Sequence, residues 1–216
     1  MNPSEASLAD LAASSGSRPI AMLNLLRFDG ESGRASYGRY AEVAARSITS
    51  VGGALIYLGR IIGSDPWDSV ALVYYPSPAA FRAMQSDPSY VEAIPNRTAG
   101  LRARLLYPFE LPSMSATEAT KLIPYSATDV VAIQLLAWNT PSVTPRNDDV
   151  DSSNPAMALR LQSVGSGLVT DVRWDELRLR RYESRASGPD DPALGLTANP
   201  DASRVAHFLS RPAGQP

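Results

Sequence analysis

The sequence contains no cysteine. Disulfides, thiolate metal sites and cysteine nucleophiles are therefore excluded together. Histidine occurs once, at His207, so a metal site built from several imidazoles is ruled out as well. Lysine also occurs once, at Lys121, leaving 19 arginines among 20 basic residues. That skew reads as the coding bias of a GC-rich genome and carries no functional weight. No stretch approaches the run of about 18 apolar residues that a membrane span needs. Residues 1–18 have neither a basic start nor an apolar run, which speaks against a signal peptide and predicts a flexible polar lead-in. There is no P-loop, no dinucleotide glycine fingerprint and no Gly-x-Ser-x-Gly elbow. A net charge of −2 argues against a nucleic-acid or anionic-membrane surface. What remains is a globular composition, 44% hydrophobic and 19% charged, expected in the cytoplasm.

The dominant feature that is present is an internal echo. Trp67-Asp68-Ser69-Val70-Ala71-Leu72-Val73-Tyr74-Tyr75-Pro76-Ser77 returns as Trp174-Asp175-Glu176-Leu177-Arg178-Leu179-Arg180-Arg181-Tyr182-Glu183-Ser184, with Trp, Asp, Leu, Tyr and Ser at one offset. Leu23-Asn24-Leu25-Leu26-Arg27-Phe28 is echoed by Ile133-Gln134-Leu135-Leu136-Ala137-Trp138, and Asp87-Pro88 with Arg97–Gly100 more loosely by Asn199-Pro200 with Arg211–Gly214. Echoes in one order at nearly one offset indicate a duplicated domain with a diverged second copy.

In the first copy, Pro19 to Phe28 is almost continuously apolar and reads as a buried strand. A helical spacing of Tyr37, Tyr40, Ala41, Ala44, Ile48 and Val51 follows, closed by Gly52-Gly53. Two strands, two short helical pieces around Phe81 and Asp87-Pro88, and a last strand from Leu101 complete a β-α-β-β-α-β order, the ferredoxin-like plait. Asn24-Leu25-Leu26-Arg27-Phe28, Gly33-Arg34, Gly52-Gly53, Trp67-Asp68, Tyr75-Pro76-Ser77, Asp87-Pro88 and Arg97-Thr98-Ala99-Gly100-Leu101 also carry a resemblance. The first copy is similar to a small bacterial family of unknown function in the dimeric α/β-barrel superfamily. The resemblance implies an α+β fold, two ferredoxin-like repeats packed sheet to sheet as an intramolecular, pseudo-dimeric barrel. Asn96 stands where such sequences often have histidine, which weakens any transfer of histidine chemistry. The expected boundaries are 19–107 for repeat one, 108–128 for a linker and 129–216 for repeat two. Within repeat two, a shortened helix is expected over 155–164, a hairpin from Leu168 to Glu183 turning at Asp175-Glu176, and a final helix over 200–209 carrying His207, with no clear fourth strand.

Candidate site residues come mainly from that hairpin. The turn would put Val172, Trp174, Leu177 and Leu179 on an apolar face, and Asp171, Arg173, Arg178, Arg180 and Tyr182 on the other. Facing arginines are unfavourable without an anion between them, so this face is either solvated or a polar barrel lining. The second reading makes Asp171 a general base and Arg178 and Arg180 oxyanion stabilisers, with Arg173 and Tyr182 binding substrate. Asn24 and Gln134 interrupt equivalent apolar strands; each amide either ties strands together or holds a carbonyl or enolate oxygen. Members of the superfamily that the chain resembles include cofactor-free monooxygenases, cyclases, isomerases and haem degraders. The expectation is a small-molecule enzyme without metal or cofactor, a cyclase or isomerase acting on an aromatic or polyketide-like metabolite. A cofactor-independent monooxygenase and a non-catalytic binding or scaffold barrel are the alternatives. Monomers, or homodimers formed outside the barrel, are the expected assembly.

Overall fold

The computed structural model describes residues 2–63, 65–139, 157–169, 172–182 and 202–213. Ser4 accepts a hydrogen bond from the Ser7 amide and starts α1 (Glu5–Ser15). The expected lead-in is thus largely a helix. Its Leu8 and Leu11 are buried in one apolar cluster with Val164 and Leu168.

Repeat one then runs β1 (Ile20–Phe28), α2 (Gly30–Ser50), β2 (Ala54–Ile62), β3 (Ser69–Tyr75), α3 (Pro78–Gln85), α4 (Pro88–Gly100) and β4 (Leu101–Glu110). Ser77-Pro78 and Asp87-Pro88 each place a capping side chain before a proline whose missing N–H costs nothing at a first helical turn. The linker region forms α5 (Ala116–Ala119), closed by a capping box between Ser115 and Glu118. Repeat two contributes β5 (Val130–Trp138), β6 (Met157–Gln162), β7 (Glu176–Tyr182) and β8 (Ala202–Pro212).

All eight strands form one antiparallel sheet in the order β4-β1-β3-β2-β8-β5-β7-β6. The two halves have the same internal order, β4-β1-β3-β2 and β8-β5-β7-β6. One seam joins them through β2 and β8, where Gly59 to Ile62 pair with Pro212 to Leu209. At the other, β4 bonds the segment after β6: the Leu168 amide donates to the Leu106 carbonyl and the Val164 amide to that of Pro108. The sheet therefore closes into a barrel. Ala21, Leu23, Leu25, Leu72 and Tyr107 from one half meet Ile133, Leu135, Leu177, Leu179 and Phe208 from the other inside it. Leu111, Ala119 and Ile123 of the linker join this core. These side chains pack against one another inside the barrel.

The duplication extends to single hydrogen bonds. The Asp68 carboxylate accepts from the Phe28 amide at 2.7 Å, and that of Asp175 from the Trp138 amide at 2.8 Å. Each aspartate amide in turn donates to Leu26 or Leu136. The repeated Trp-Asp thus marks a carboxylate that closes the end of the central strand in both copies.

Repeat two departs from the expected elements in four ways. Residues 157–162 are strand, not helix: Leu159 and Leu161 face inward and Arg160 and Gln162 outward, a period of two. The final helix is instead the fourth strand, β8, which occupies the place of β4. His207 is accordingly an exposed strand residue opposite Gln134. The hairpin partner of β7 is β6, with Arg160 rather than Arg173 opposite Arg178. The loosest echo has no structural counterpart, since Arg97–Gly100 ends a helix whereas Arg211-Pro212 ends a strand.

Candidate functional site

A cavity lies on the outer side of the barrel, between α2 and the sheet of repeat one. The face presented there follows from strand parity. Met22, Asn24 and Leu26 of β1 point opposite to the core residues Leu23 and Leu25. Register rows carry that face across the sheet: Leu106, Asn24, Ala71 and Leu58 form one row, and Arg104, Leu26, Ser69, Arg60 and Arg211 the next. The cavity measures about 680 Å³, within the usual range for a small-molecule site. Tyr37, Tyr40, Ala44 and Ile48 of α2, with Phe81, Met84 and Tyr90, form much of its opposite wall.

Arg104 is the main polar group on its sheet side. Its Nη2 donates to the Asn24 side-chain oxygen at 3.0 Å, while the Asn24 amide nitrogen donates to the Met22 carbonyl at 3.3 Å. Arg104 Nε and Nη1 are buried and have no hydrogen-bond acceptor. A buried donor left unpaired costs about 1–3 kcal/mol, more when charged. Tyr90 supplies a second donor. Its oxygen accepts from the Tyr40 hydroxyl at 2.9 Å and from Arg97 Nη1 at 2.9 Å, which leaves its own proton for another acceptor. Burial pushes the Tyr37, Tyr75 and Tyr90 phenols well up, and the nearby Arg104 charge offsets this only in part. They remain protonated. Asp, Glu, His and Lys are absent among the described residues lining the cavity, whereas Arg34, Arg60, Arg104 and Arg211 are all there. Among the described residues no three His, Asp or Glu converge to hold a metal ion. No helix there is long and apolar enough to cross a membrane.

Solved structures share this architecture. A candidate monooxygenase from Lactobacillus acidophilus is 9% identical, with 90% of this chain and 94% of that one aligned at a TM-score of 0.52. A mutant chlorite dismutase from Candidatus Nitrospira defluvii is 11% identical, covering 94% and 95% at 0.54. The chain has a ferredoxin-like α/β-barrel fold, closed within one polypeptide. A protein of unknown function from Rhodopseudomonas palustris is 28% identical across 52% of this chain and 97% of its own, with a TM-score of 0.47. No protein-family model matches the chain, and no curated protein matches it.

The residues expected to form the site divide between the two halves of the barrel. Asn24 lines the cavity. Gln134, Arg178, Arg180 and Tyr182 share the outer face of repeat two, opposite His207, Gln134, Ala132 and Val130 respectively. They do not line the barrel interior, because Leu177 and Leu179 take the inward parity. Arg178 is tied to structure: its Nε and that of Arg160 both lie 2.5 Å from the buried Glu176 carboxylate, which is fully shielded from solvent. Arg173 is exposed and holds Asp175 at 2.6 Å. Asp171 lies outside the described residues. Arg104 and Tyr90 were missed in the sequence. The available signal was Arg104's shared parity with Leu106, but placing it beside Asn24 requires the pairing of β1 with β4.

Proposed function

We propose that the barrel is a small-molecule enzyme that binds a phenol or enol of an aromatic or polyketide-like metabolite in the repeat-one cavity. It stabilises the substrate as its oxyanion and uses no metal or cofactor. The unpaired Arg104 Nε and Nη1 at an apolar, aromatic cavity carry this reading. A substrate oxygen there would accept from Arg104 and from the free Tyr90 hydroxyl, donors already fixed by Asn24, Tyr40 and Arg97. Charge appearing on that oxygen is favoured by the guanidinium, and the apolar and aromatic side chains around it lower the local dielectric and so strengthen the attraction.

The lining offers donors but no proton-accepting side chain, so the hydroxyl proton leaves to water through the arginine-lined mouth. This favours the cofactor-independent monooxygenase over the cyclase or isomerase, which needs a base for a carbon-bound proton. The enol tautomer has only its hydroxyl proton to lose before it meets O₂. O₂ adds to the ring CH of the enolate, and the peroxide so formed loses its outer oxygen as one water with that carbon's hydrogen and the hydroxyl proton. A carbonyl forms, and atoms balance without an external reductant. The candidate monooxygenase of the same fold points the same way.

2-Naphthol tests the oxyanion step, because ionisation changes its absorption. In the wild-type cavity it should ionise at least about one pH unit below its value in water, equivalent to about 1.4 kcal/mol. Arg104→Met should abolish the shift. An unshifted ionisation in the wild type would remove the reading. Oxygen uptake with a turned-over anthrone-type substrate separates the monooxygenase from the cyclase.

A further inference from the structure

We infer that Arg60 and Arg211 form a carboxylate clamp at the mouth of the cavity, so that the ligand is a hydroxyaryl or polyketide-like carboxylic acid. This deepens the oxyanion reading and rests on it for the opposite end of the ligand. Arg60 on β2 and Arg211 on β8 are directly opposite in the register of the seam between the repeats. Both line the cavity and both are exposed. Like charges placed directly opposite in an antiparallel pair repel. Among the described residues, no ion pair involves either side chain, and no carboxylate lines the cavity beside them.

The other facing pair in the same sheet provides an internal comparison. Arg160 and Arg178 occupy the same relation across β6 and β7, and the Glu176 carboxylate sits between them. At the β2–β8 seam no described residue supplies such a group. A ligand carboxylate would fill the equivalent place, accepting from both guanidiniums in the planar, forked geometry that arginine favours.

The register row also sets the length of the ligand. Arg104, Leu26, Ser69, Arg60 and Arg211 follow one another across β4, β1, β3, β2 and β8. At about 4.8 Å per strand, the Arg104 and Arg60 backbones are roughly 14 Å apart. The long side chains shorten that span to the size of a fused-ring acid. Its flat body would lie over Leu26, Ala71 and Leu58, with its hydroxyl toward Arg104 and its carboxylate toward the seam. Since Arg211 comes from repeat two, the clamp exists only where the two halves meet.

Calorimetric titration of the full chain with 6-hydroxy-2-naphthoic acid, 2-naphthol and 2-naphthyl phosphate tests this. Arg60→Gln and Arg211→Gln should each weaken 6-hydroxy-2-naphthoic acid about tenfold, the usual worth of one charge-assisted contact, and leave 2-naphthol within about twofold. Because a repulsive pair is relieved, neither variant should melt below the wild type without ligand. Arg104→Gln should weaken both hydroxyl-bearing probes. Loss at the clamp variants with no loss at Arg104→Gln would keep the clamp and remove the oxyanion reading. Unchanged affinity of the acid in both clamp variants would overturn the clamp, as would equal losses for 2-naphthol. Tighter binding of 2-naphthyl phosphate, lost in the same variants, would overturn the carboxylate assignment in favour of phosphate. Failure of the wild type to bind any of the three would overturn it too.

Discussion

Three arginines show how the same side chain serves different ends according to its neighbours. Arg178 is held by a buried carboxylate, Arg97 holds a tyrosine hydroxyl, and Arg104 keeps two donors unpaired beside a cavity. Glu176 is the sharpest case. Its carboxylate also accepts from Gln162 Nε2 at 3.3 Å and from Arg160 Nη2 at 2.8 Å. Glu176→Ala removes the negative charge that lies between Arg160 and Arg178, and Arg178 has just 10% of its side chain exposed. The expected loss is about 3 kcal/mol or more, read by chemical denaturation, since a charge stripped of its buried partner is costly. A loss below 1 kcal/mol would mean that the two guanidiniums find other partners. The hairpin expected from the sequence sets Arg173 against Arg178, a facing pair that requires an anion between its members. The true pair, Arg160 with Arg178, depends on β6 being a strand.

At the scale of elements, repeat one was largely legible because its signals agree: an apolar strand, a helical period, and two cap-proline starts. Repeat two was less so. Leu159 and Leu161 alternate with polar residues over only six strand residues, a window in which helix and strand periods are hard to separate. In β8, Val205 and Leu209 lie on the outer parity, which blurs the alternation of Ala206, Phe208 and Ser210 facing in. The cavity depends on a different element contact, the approach of α2 to α4. A Cβ built on Gly100 would lie 2.8 Å from both the Gly33 carbonyl oxygen and the Tyr37 amide nitrogen. Both neighbours are backbone, so the helices must separate to admit a methyl group. Gly100→Ala should therefore cost about 1–3 kcal/mol as overpacking. It should also weaken 2-naphthol, because Tyr37 on the cavity wall would move with α2. Thermal melts and calorimetry on the same sample check both effects. An unchanged melting temperature would show that the helix crossing yields more easily than its backbone contacts imply.

At the scale of the molecule, duplication replaces an association between two chains by a fold within one. The inner face of repeat one exposes Ala21, Leu23, Leu25, Leu72, Tyr107 and Phe109 unless a second sheet covers it, and all are nearly or completely buried here. Repeat two supplies that cover, and the buried hydrogen bond of 2.7 Å between Tyr57 and Ser210 crosses the seam. This mutual dependence leads to a prediction about the isolated half. A chain of residues 2–128 retains all strands of repeat one, the helices over their outer face and the linker whose Leu111, Ala119 and Ile123 join the core. It loses the partner of its apolar inner face and leaves the β2 and β4 edges unpaired. Bare apolar area of that kind drives association at about 25 cal/mol per Å², and open strand edges template pairing. The economical solution is a second copy placed by a twofold axis, with β2 of each copy pairing β4 of the other, as β2 pairs β8 here. Light scattering should then find twice the mass of the fragment, with thermal stability that rises with concentration. Arg211 is absent from such a dimer, so 6-hydroxy-2-naphthoic acid should bind it more weakly than the full chain while 2-naphthol binds both alike. A fragment that is monomeric and natively folded would show that repeat one does not require a second sheet, and the duplication would need another explanation than the covering of this face.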